Sequence, residues 1–200
     1  MEQQERALLA ITSRLLTYPN DRFMVEQKDI KTCIMENIES LPLLMDLEKA
    51  LTPLNSLTLK ELRELYVATF DLKSNVGLYL TAHELGDSNK RGAALIKLQK
   101  IVNNAGFERT EGELSDYIPM LLEFLAVASW DSQHERLKRR LAVAVQRMLT
   151  HMPENNPYIA ILLMLMEHVF PAPNKEEVEK LEFEREDADL EELPYPIMYS

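Results

Sequence analysis

The sequence predicts an all-α protein, a compact single-domain helical bundle of about eight helices. Apolar residues recur at spacings of three and four along nearly every segment, which is the period of an α-helix rather than that of a strand. The chain has five glycines and no Asn-Gly or Asp-Gly dipeptide, so the usual residues of tight hairpin turns are scarce. With 200 residues, 46% of them hydrophobic, the chain is large enough to bury one sizeable core.

The first half of the chain predicts four helices. Residues 3–17 and 23–40 each place apolar side chains on one face, and Pro42 suits the first turn of a third helix. Thr58 and Glu61 have the spacing of a capping box, in which each side chain bonds the backbone of the other residue. We therefore expect a fourth helix to begin directly after Thr58.

The second half predicts four more helices. One runs from about residue 88 to 105 and is closed by Gly106, and a second covers residues 116–130. A third covers residues 132–151, with one apolar stripe. The last begins at Asn156 and is apolar nearly all round, which predicts a central helix buried on every side.

The charge is concentrated at the C-terminal end. The net charge is −11, and residues 171–200 hold ten Asp or Glu against three Lys or Arg. We expect residues 1–171 to form the helical domain and residues 172–200 to form a mobile acidic tail. The tail either attracts a basic partner at long range or keeps the protein soluble. The negative charge argues against nucleic acid as a partner, because phosphates require a basic surface.

The sequence favours a cytoplasmic location without membrane insertion. The N-terminal residues lack the basic segment and apolar core of a secretory signal. Cys33 is the single cysteine and cannot form an internal disulfide. The longest apolar run, Tyr158 to Met166, is much shorter than the roughly 20 residues that span a bilayer.

Catalytic signatures are missing from the sequence, which indicates that the protein is not an enzyme. It contains no glycine-rich phosphate loop, no dinucleotide-binding fingerprint and no G-x-S-x-G motif. His83 is followed by Glu84, but no second histidine lies four residues after the first, so a zinc-protease site is excluded. We expect no bound metal ion.

The segment from Tyr79 to Leu95 combines a helix boundary with two unusual features. Gly86 suits the end of one helix, and Asp87 or Ser88 suits the cap of the next. Lys90 and Arg91 then fall in a first helical turn, where the helix dipole disfavours cations, and Gly92 lies inside the helix. We expect a carboxylate partner for a cation placed there and a close backbone approach at Gly92. The candidate partners are Glu84, Asp87 and Asp116.

The helix predicted over residues 116–130 has one mixed face. At 100° per residue this face carries Asp116, Met120, Glu123, Val127 and Trp130. Such a face suits an amphipathic peptide that contains arginine, and it is equally typical of an ordinary solvated surface. The remaining apolar side chains of the helix point toward a core: Ile118, Leu121, Leu122 and Leu125.

Four stretches in the central third of the chain carry a family resemblance. They are ELYVATFD (64–71), LYLTAHELGDSNKRGAALIKL (78–98), AGFE (105–108) and GELSDYIPMLLEFLA (112–126). In this order they resemble the nitrate reductase molybdenum cofactor assembly chaperones, also called nitrate reductase delta subunits. These proteins belong to the wider group of redox-enzyme maturation chaperones.

The resemblance implies an all-helical chaperone for the catalytic α subunit of a respiratory nitrate reductase. Such a chaperone binds the leader-like N-terminal segment of its client and keeps it competent for insertion of the molybdenum cofactor. The client carries the cofactor, and the chaperone holds none stably. A monomer or a weak homodimer is expected. The alternative is an accessory structural subunit or scaffold that stays in the reductase complex.

The resemblance also implies positions for the binding site. Tyr66 and Phe70 match an aromatic pair one helical turn apart, although both also suit simple core packing. Asp116 and Tyr117 match a pair that often reads Asp-His in the related reductase chaperones, and the tyrosine here puts any role of that histidine in doubt. His83 is interpreted as a structural histidine rather than a pH switch.

We therefore predict a groove between the helix of Tyr66 and Phe70 and the helix over residues 116–130. Apolar client residues would fill the groove, and client Arg or Lys would meet Asp116 and Glu123. The residues predicted to bind the peptide are Tyr66, Phe70, His83, Asp116, Tyr117, Met120, Glu123, Val127 and Trp130. Those predicted to form a structural or electrostatic motif are Glu84, Asp87, Arg91 and Gly92.

Overall fold

A computed structural model describes residues 2–108, 112–129 and 132–176, and these residues have the predicted all-α fold. Nine α-helices occur in these ranges, where about eight were expected over the whole chain. They are α1 (Gln3–Leu15), α2 (Phe23–Asn37), α3 (Leu41–Asn55), α4 (Leu59–Tyr66), α5 (Leu80–Leu85), α6 (Arg91–Asn104), α7 (Ile118–Val127), α8 (Ser132–His151) and α9 (Tyr158–His168). A π-helical turn (Val67–Asp71) continues α4, and a 3₁₀ turn (Ser74–Val76) follows it. Most of the predicted acidic tail lies outside the described residues.

Several helix ends lie where the sequence predicts them. The capping box before α4 is present: the Thr58 N–H donates to Glu61 Oε2 at 2.8 Å, and the Glu61 N–H donates to Thr58 Oγ1 at 3.3 Å. Gly86 ends α5 with a φ of +56°, a left-handed value that glycine adopts without strain. Helix α8 has the predicted bounds. Helix α6 begins at Arg91, after the predicted start near residue 88.

Helix α7 lies in the core and packs mainly along α1. The side chains predicted to face inward are confirmed as fully buried, and each removes apolar surface worth about 1.5–3 kcal/mol from water. Arg6 of α1 donates to the carbonyl oxygens of Ala126 and Ala128, at 2.7 and 3.1 Å. These carbonyls lie at the C-terminal end of α7, where the helix dipole favours a cation.

Helix α9 differs from its prediction on one side. It contacts α1, α3 and α8, as a core helix would, but Leu163 remains 50% exposed. Ile159 and Ala160 beside it are only partly buried. The prediction that α9 is buried on every side is therefore wrong for the face that carries Leu163. The apolar pattern of a helix does not say how many neighbours the fold places around it.

Two short backbone contacts bring the starts of α5 and α7 together. The Leu80 N–H donates to the Asp116 carbonyl, and the Ile118 N–H donates to the Leu78 carbonyl, both at 2.9 Å. These bonds surround an isolated antiparallel bridge between Tyr79 and Tyr117. As a result, the side chain of Asp116 lies directly beside the first turn of α5.

Candidate functional site

Asp116 is the centre of a buried ionic network. Its side chain is 0% exposed, and its Oδ2 atom accepts hydrogen bonds from the Thr81 N–H at 3.2 Å and from the Thr81 hydroxyl. Arg91 Nη2 lies 3.5 Å from the same oxygen, and Arg91 Nε donates to Thr81 Oγ1 at 3.1 Å. The predicted carboxylate partner of Arg91 is thus confirmed and is Asp116.

The other members of the predicted electrostatic motif have separate roles. Glu84 of α5 accepts two hydrogen bonds from Arg140 of α8, at 2.6 and 2.7 Å, and this pair fastens the two helices together. Asp87 is exposed. The close backbone approach expected at Gly92 is wrong, because a Cβ atom there would meet nothing within 4 Å.

His83 is fully buried and bridges two segments of the chain. Its Nε2 atom lies 2.7 Å from the Gly77 carbonyl, so the ring N–H donates to that oxygen. The backbone carbonyl of His83 accepts a bond from Arg147 Nη1 of α8 at 3.2 Å. These contacts support the structural interpretation of His83, and its side chain is not exposed.

The predicted aromatic pair belongs to a buried aromatic cluster. Tyr66 and Phe70 are 5% and 4% exposed, and both rings contact Tyr158 of α9 edge-on. The Tyr66 and Tyr117 hydroxyls lie 3.2 Å apart and share a hydrogen bond. Burial raises the pKa of both phenols above the usual value, and the Tyr117 phenol adds to the rise at Tyr66. Both phenols therefore stay protonated at neutral pH and hold α4 against the start of α7.

The groove predicted between α4 and α7 is closed in this structure. Tyr66, Phe70 and Tyr117 fill the space in which the client was expected, and the carboxylate of Asp116 is enclosed with Arg91. Peptide binding by these residues remains a prediction. The spacing of residues along one helix predicts the face on which a residue lies. It does not predict whether solvent or another helix covers that face.

Three of the predicted contact residues do form a surface on α7. Glu123 is exposed, Val127 is 55% exposed, and Met120 is partly buried. Trp130, the fourth residue expected on this surface, lies outside the described residues. We call Met120, Glu123 and Val127 the α7 face. Peptide binding by this face remains a prediction.

The sequence did not predict an open cleft between α3 and α9. A recess of about 400 Å³ lies between the two helices, and a neighbouring recess of about 600 Å³ shares Asp46, Lys49 and Pro53 with it. We call the two together the α3–α9 cleft. Its apolar lining includes Met45 of α3 and Leu163 of α9. The surplus of apolar residues around α9 is the signal in the sequence that could have located it.

One group of side chains at the end of α9 has the geometry of possible metal ligands. Asp46, Glu167 and His168 bring ligand atoms within 4.8 Å of one another. His168 Nε2 lies 2.9 Å from Asp46 Oδ2, so the two side chains already bond each other and tie α9 to α3. Exposed carboxylates often cluster in this way without a metal ion, and the contact is sufficiently explained as a link between helices.

Among the described helices, none combines the length and the apolar character that crossing a bilayer requires. The protein defined by these features is an all-α domain with its ionic network inside and an apolar cleft on its surface. The family model of the nitrate reductase delta subunit matches residues 41–155, which is more than half of the chain. The chain belongs to this family.

Individual relatives agree with the family match. The probable nitrate reductase molybdenum cofactor assembly chaperone NarJ of Bacillus subtilis is 30% identical over 154 residues, which cover 77% of this chain and 83% of that protein. The corresponding NarJ chaperone of Escherichia coli is 28% identical over 137 residues, covering 65% and 56% of the two chains. As these names state, the family is one of assembly chaperones and not of catalytic enzymes.

A further relative is a longer protein. The nitrate reductase-like protein NarX of Mycobacterium tuberculosis is 30% identical over 122 residues, which cover 57% of this chain but 17% of that protein. The segment similar to this chain is therefore a small part of a much larger polypeptide.

Proposed function

We propose that this protein is a system-specific chaperone that binds the N-terminal segment of the catalytic α subunit of a respiratory nitrate reductase. It keeps that subunit competent for molybdenum cofactor insertion and assembly, acts in the cytoplasm and holds no cofactor itself. The observation that carries the proposal is the family match over residues 41–155, together with relatives named as nitrate reductase molybdenum cofactor assembly chaperones.

The surface charge of the chain supports a peptide client with basic residues. The net charge is −11, so a basic segment is attracted at long range, and the attraction weakens as salt screens it. Large apolar side chains that remain exposed, such as Met45, Val127 and Leu163, offer contacts to the apolar side of such a segment. Charge thus favours the encounter, and apolar contact favours the bound state.

In the proposed mechanism, the client leader forms a helix when it binds, and this protects it from aggregation. An unstructured leader exposes apolar residues that promote aggregation, whereas a bound helix covers them and satisfies its own backbone hydrogen bonds. Ordering the peptide costs about 2–5 kcal/mol of the gross interaction energy, which keeps the complex reversible. A reversible complex allows release of the client once its cofactor is inserted.

Calorimetric titration with a peptide copying the first ~15–20 residues of the cognate α subunit tests the proposal, since that length gives about four or five helical turns. We expect saturable 1:1 binding with a negative heat-capacity change, because apolar surface is buried. A scrambled peptide of the same composition is the control and should not bind. Absence of binding by the authentic peptide at every salt concentration and pH would contradict the proposal.

The second candidate function is an accessory subunit that remains in the mature reductase. It is favoured by the longer NarX relative, in which a segment similar to this chain is part of a nitrate reductase-like protein. The two functions differ in where the chain is found. A chaperone accompanies the immature subunit alone, whereas an accessory subunit purifies with the finished enzyme in a fixed ratio.

A further inference from the structure

One face of α9 carries apolar side chains that no other described helix covers. A helix that is apolar on every side is normally covered on every side, because each uncovered apolar group remains in contact with water. Three sides of α9 are covered by α1, α3 and α8. The fourth leaves Leu163 at 50% exposure, between the partly buried Ile159 and the exposed Glu167. This row lines the α3–α9 cleft.

Among the described helices, α3 alone lines the neighbouring recess. Met45 is 64% exposed and lies in the recess that continues the cleft along α3. Methionine is flexible and polarisable, so it adapts to apolar partners of different shape. From Ile159 to Glu167 the wall of α9 rises roughly 12 Å, which matches about two turns of a bound helix. The cleft is therefore long enough for a short helical segment.

The rim of the α3–α9 cleft is acidic. Among the described residues that line it, Lys49 is the single cation, and four side chains carry carboxylates. These are Asp46, Glu48, Glu154 and Glu167. Apolar side chains flanked by carboxylates suit a bound helix that has apolar residues on one side and Arg or Lys at the edges of that side.

Charge also decides between the possible occupants of the cleft. A second copy of this chain would bring the same acidic rim against the first, and like charges would oppose each other. The C-terminal segment of the chain, residues 171–200, has ten acidic residues against three basic ones and is repelled for the same reason. A basic amphipathic peptide can contact the apolar side chains of the cleft and also pair with the carboxylates of its rim.

We infer that the α3–α9 cleft is the docking site for a basic, amphipathic helical segment, and that this segment is the N-terminal region of the client. The inference rests on the proposed function. The apolar residues of the client helix cover Leu163 and Met45, and its basic residues pair with Glu154 and Glu167. A helix bound here would bury the exposed face of α9, including Leu163.

Two double variants test the cleft, titrated with the same α-subunit peptide. Met45→Gln with Leu163→Gln removes the apolar contacts while keeping good helix formers, and we expect binding at least about tenfold weaker. Glu154→Lys with Glu167→Lys reverses the rim, and we expect a loss on the order of tenfold at low salt that shrinks as salt rises. All four side chains are partly or fully exposed, so the fold is retained, as circular dichroism would verify.

Helix α2 provides the matched control. Met35→Gln with Glu36→Lys makes the same kinds of change on another exposed surface, and affinity should stay within about twofold of the wild type. If the cleft variants bind like the wild type, or if the α2 variant binds as weakly as they do, the assignment of the cleft is overturned while the proposed function stands. If the wild-type chain binds no peptide, the proposed function fails and the docking site fails with it.

Sedimentation of the peptide-free protein tests the competing occupant. We expect the wild type and the Met45→Gln, Leu163→Gln variant to sediment alike as monomers at micromolar concentration. A wild-type dimer that this variant dissociates would show that a second copy covers the cleft, and would overturn the assignment to a client peptide.

Discussion

The carboxylate of Asp116 joins three segments of the chain. It lies just before α7, accepts hydrogen bonds from Thr81 in α5, and pairs with Arg91 at the start of α6. A buried charge of this kind is tolerated because its Oδ2 atom has three polar contacts, and the loss of the carboxylate leaves these partners in a poorly solvated site. The role of Asp116 in this structure is to fix the positions of α5, α6 and α7 relative to one another.

We predict that Asp116→Asn destabilises the protein by about 2–3 kcal/mol, a value reduced from that of a fully buried pair because Arg91 is partly exposed. For a chain of this size the melting temperature should fall by roughly 5–10 °C. Asp87→Asn is the control, since Asp87 is exposed and lies close by in the sequence. Equal melting temperatures for the two variants would show that the network contributes nothing to stability.

Single-residue predictions succeeded where the chemistry of one residue demanded a partner. A cation in the first turn of a helix is unfavourable unless a carboxylate compensates it; this reasoning predicted a carboxylate partner and left three candidates, of which the structure selects Asp116 for Arg91. The expectation for Gly92 failed because a glycine in a first helical turn needs no close neighbour. The burial of Asp116 depends on the bridge between Tyr79 and Tyr117, which local sequence does not reveal.

Helix α5 is short and depends on contacts with its neighbours. Six residues are too few for a helix that is stable by itself, so tertiary contacts must hold it. Glu84 supplies one such contact through its two hydrogen bonds with Arg140 of α8. The planar guanidinium matches the carboxylate with two parallel bonds, a geometry that lysine cannot reproduce.

We predict that Arg140→Lys destabilises the protein by about 1 kcal/mol, because one of the two bonds is lost while the charge is kept. The neighbouring Arg139→Lys variant is the control: Arg139 is exposed, and its replacement should change the free energy of unfolding by less than about 0.5 kcal/mol. Chemical denaturation followed by circular dichroism measures both. Identical unfolding curves for the two variants would contradict the proposed clasp between α5 and α8.

At the level of helices, local signals predicted boundaries better than environments. The capping box before α4 and the bounds of α8 follow from residue types near the helix ends. The π-helical turn at Val67–Asp71 was not predicted, because the spacing of apolar residues does not distinguish such a turn from the α-helix that it continues. The open side of α9 was missed for a related reason, since it reflects the number of helices that the fold places around it.

For the whole molecule, the fold class and the family could be predicted from the sequence, whereas the binding surface could not. Helical periodicity and four recognisable stretches were sufficient for the first two. The predicted groove contained the right kinds of residues, aromatic, apolar and acidic, but most of them turned out to hold helices together. The α3–α9 cleft joins helices that are about a hundred residues apart in the sequence, and local patterns do not encode such a pairing.

The molybdenum content of a purified nitrate reductase tests whether this chain assists assembly of the enzyme. The enzyme would be isolated from cells that contain the chain, lack it, or carry the Met45→Gln, Leu163→Gln variant. We expect a full complement of molybdenum with the wild type, a deficit without it and an intermediate content with the variant, with no chaperone in the mature enzyme. Full molybdenum content in cells that lack the chain would contradict a role in assembly, and a fixed ratio of the chain in the mature enzyme would favour the accessory subunit.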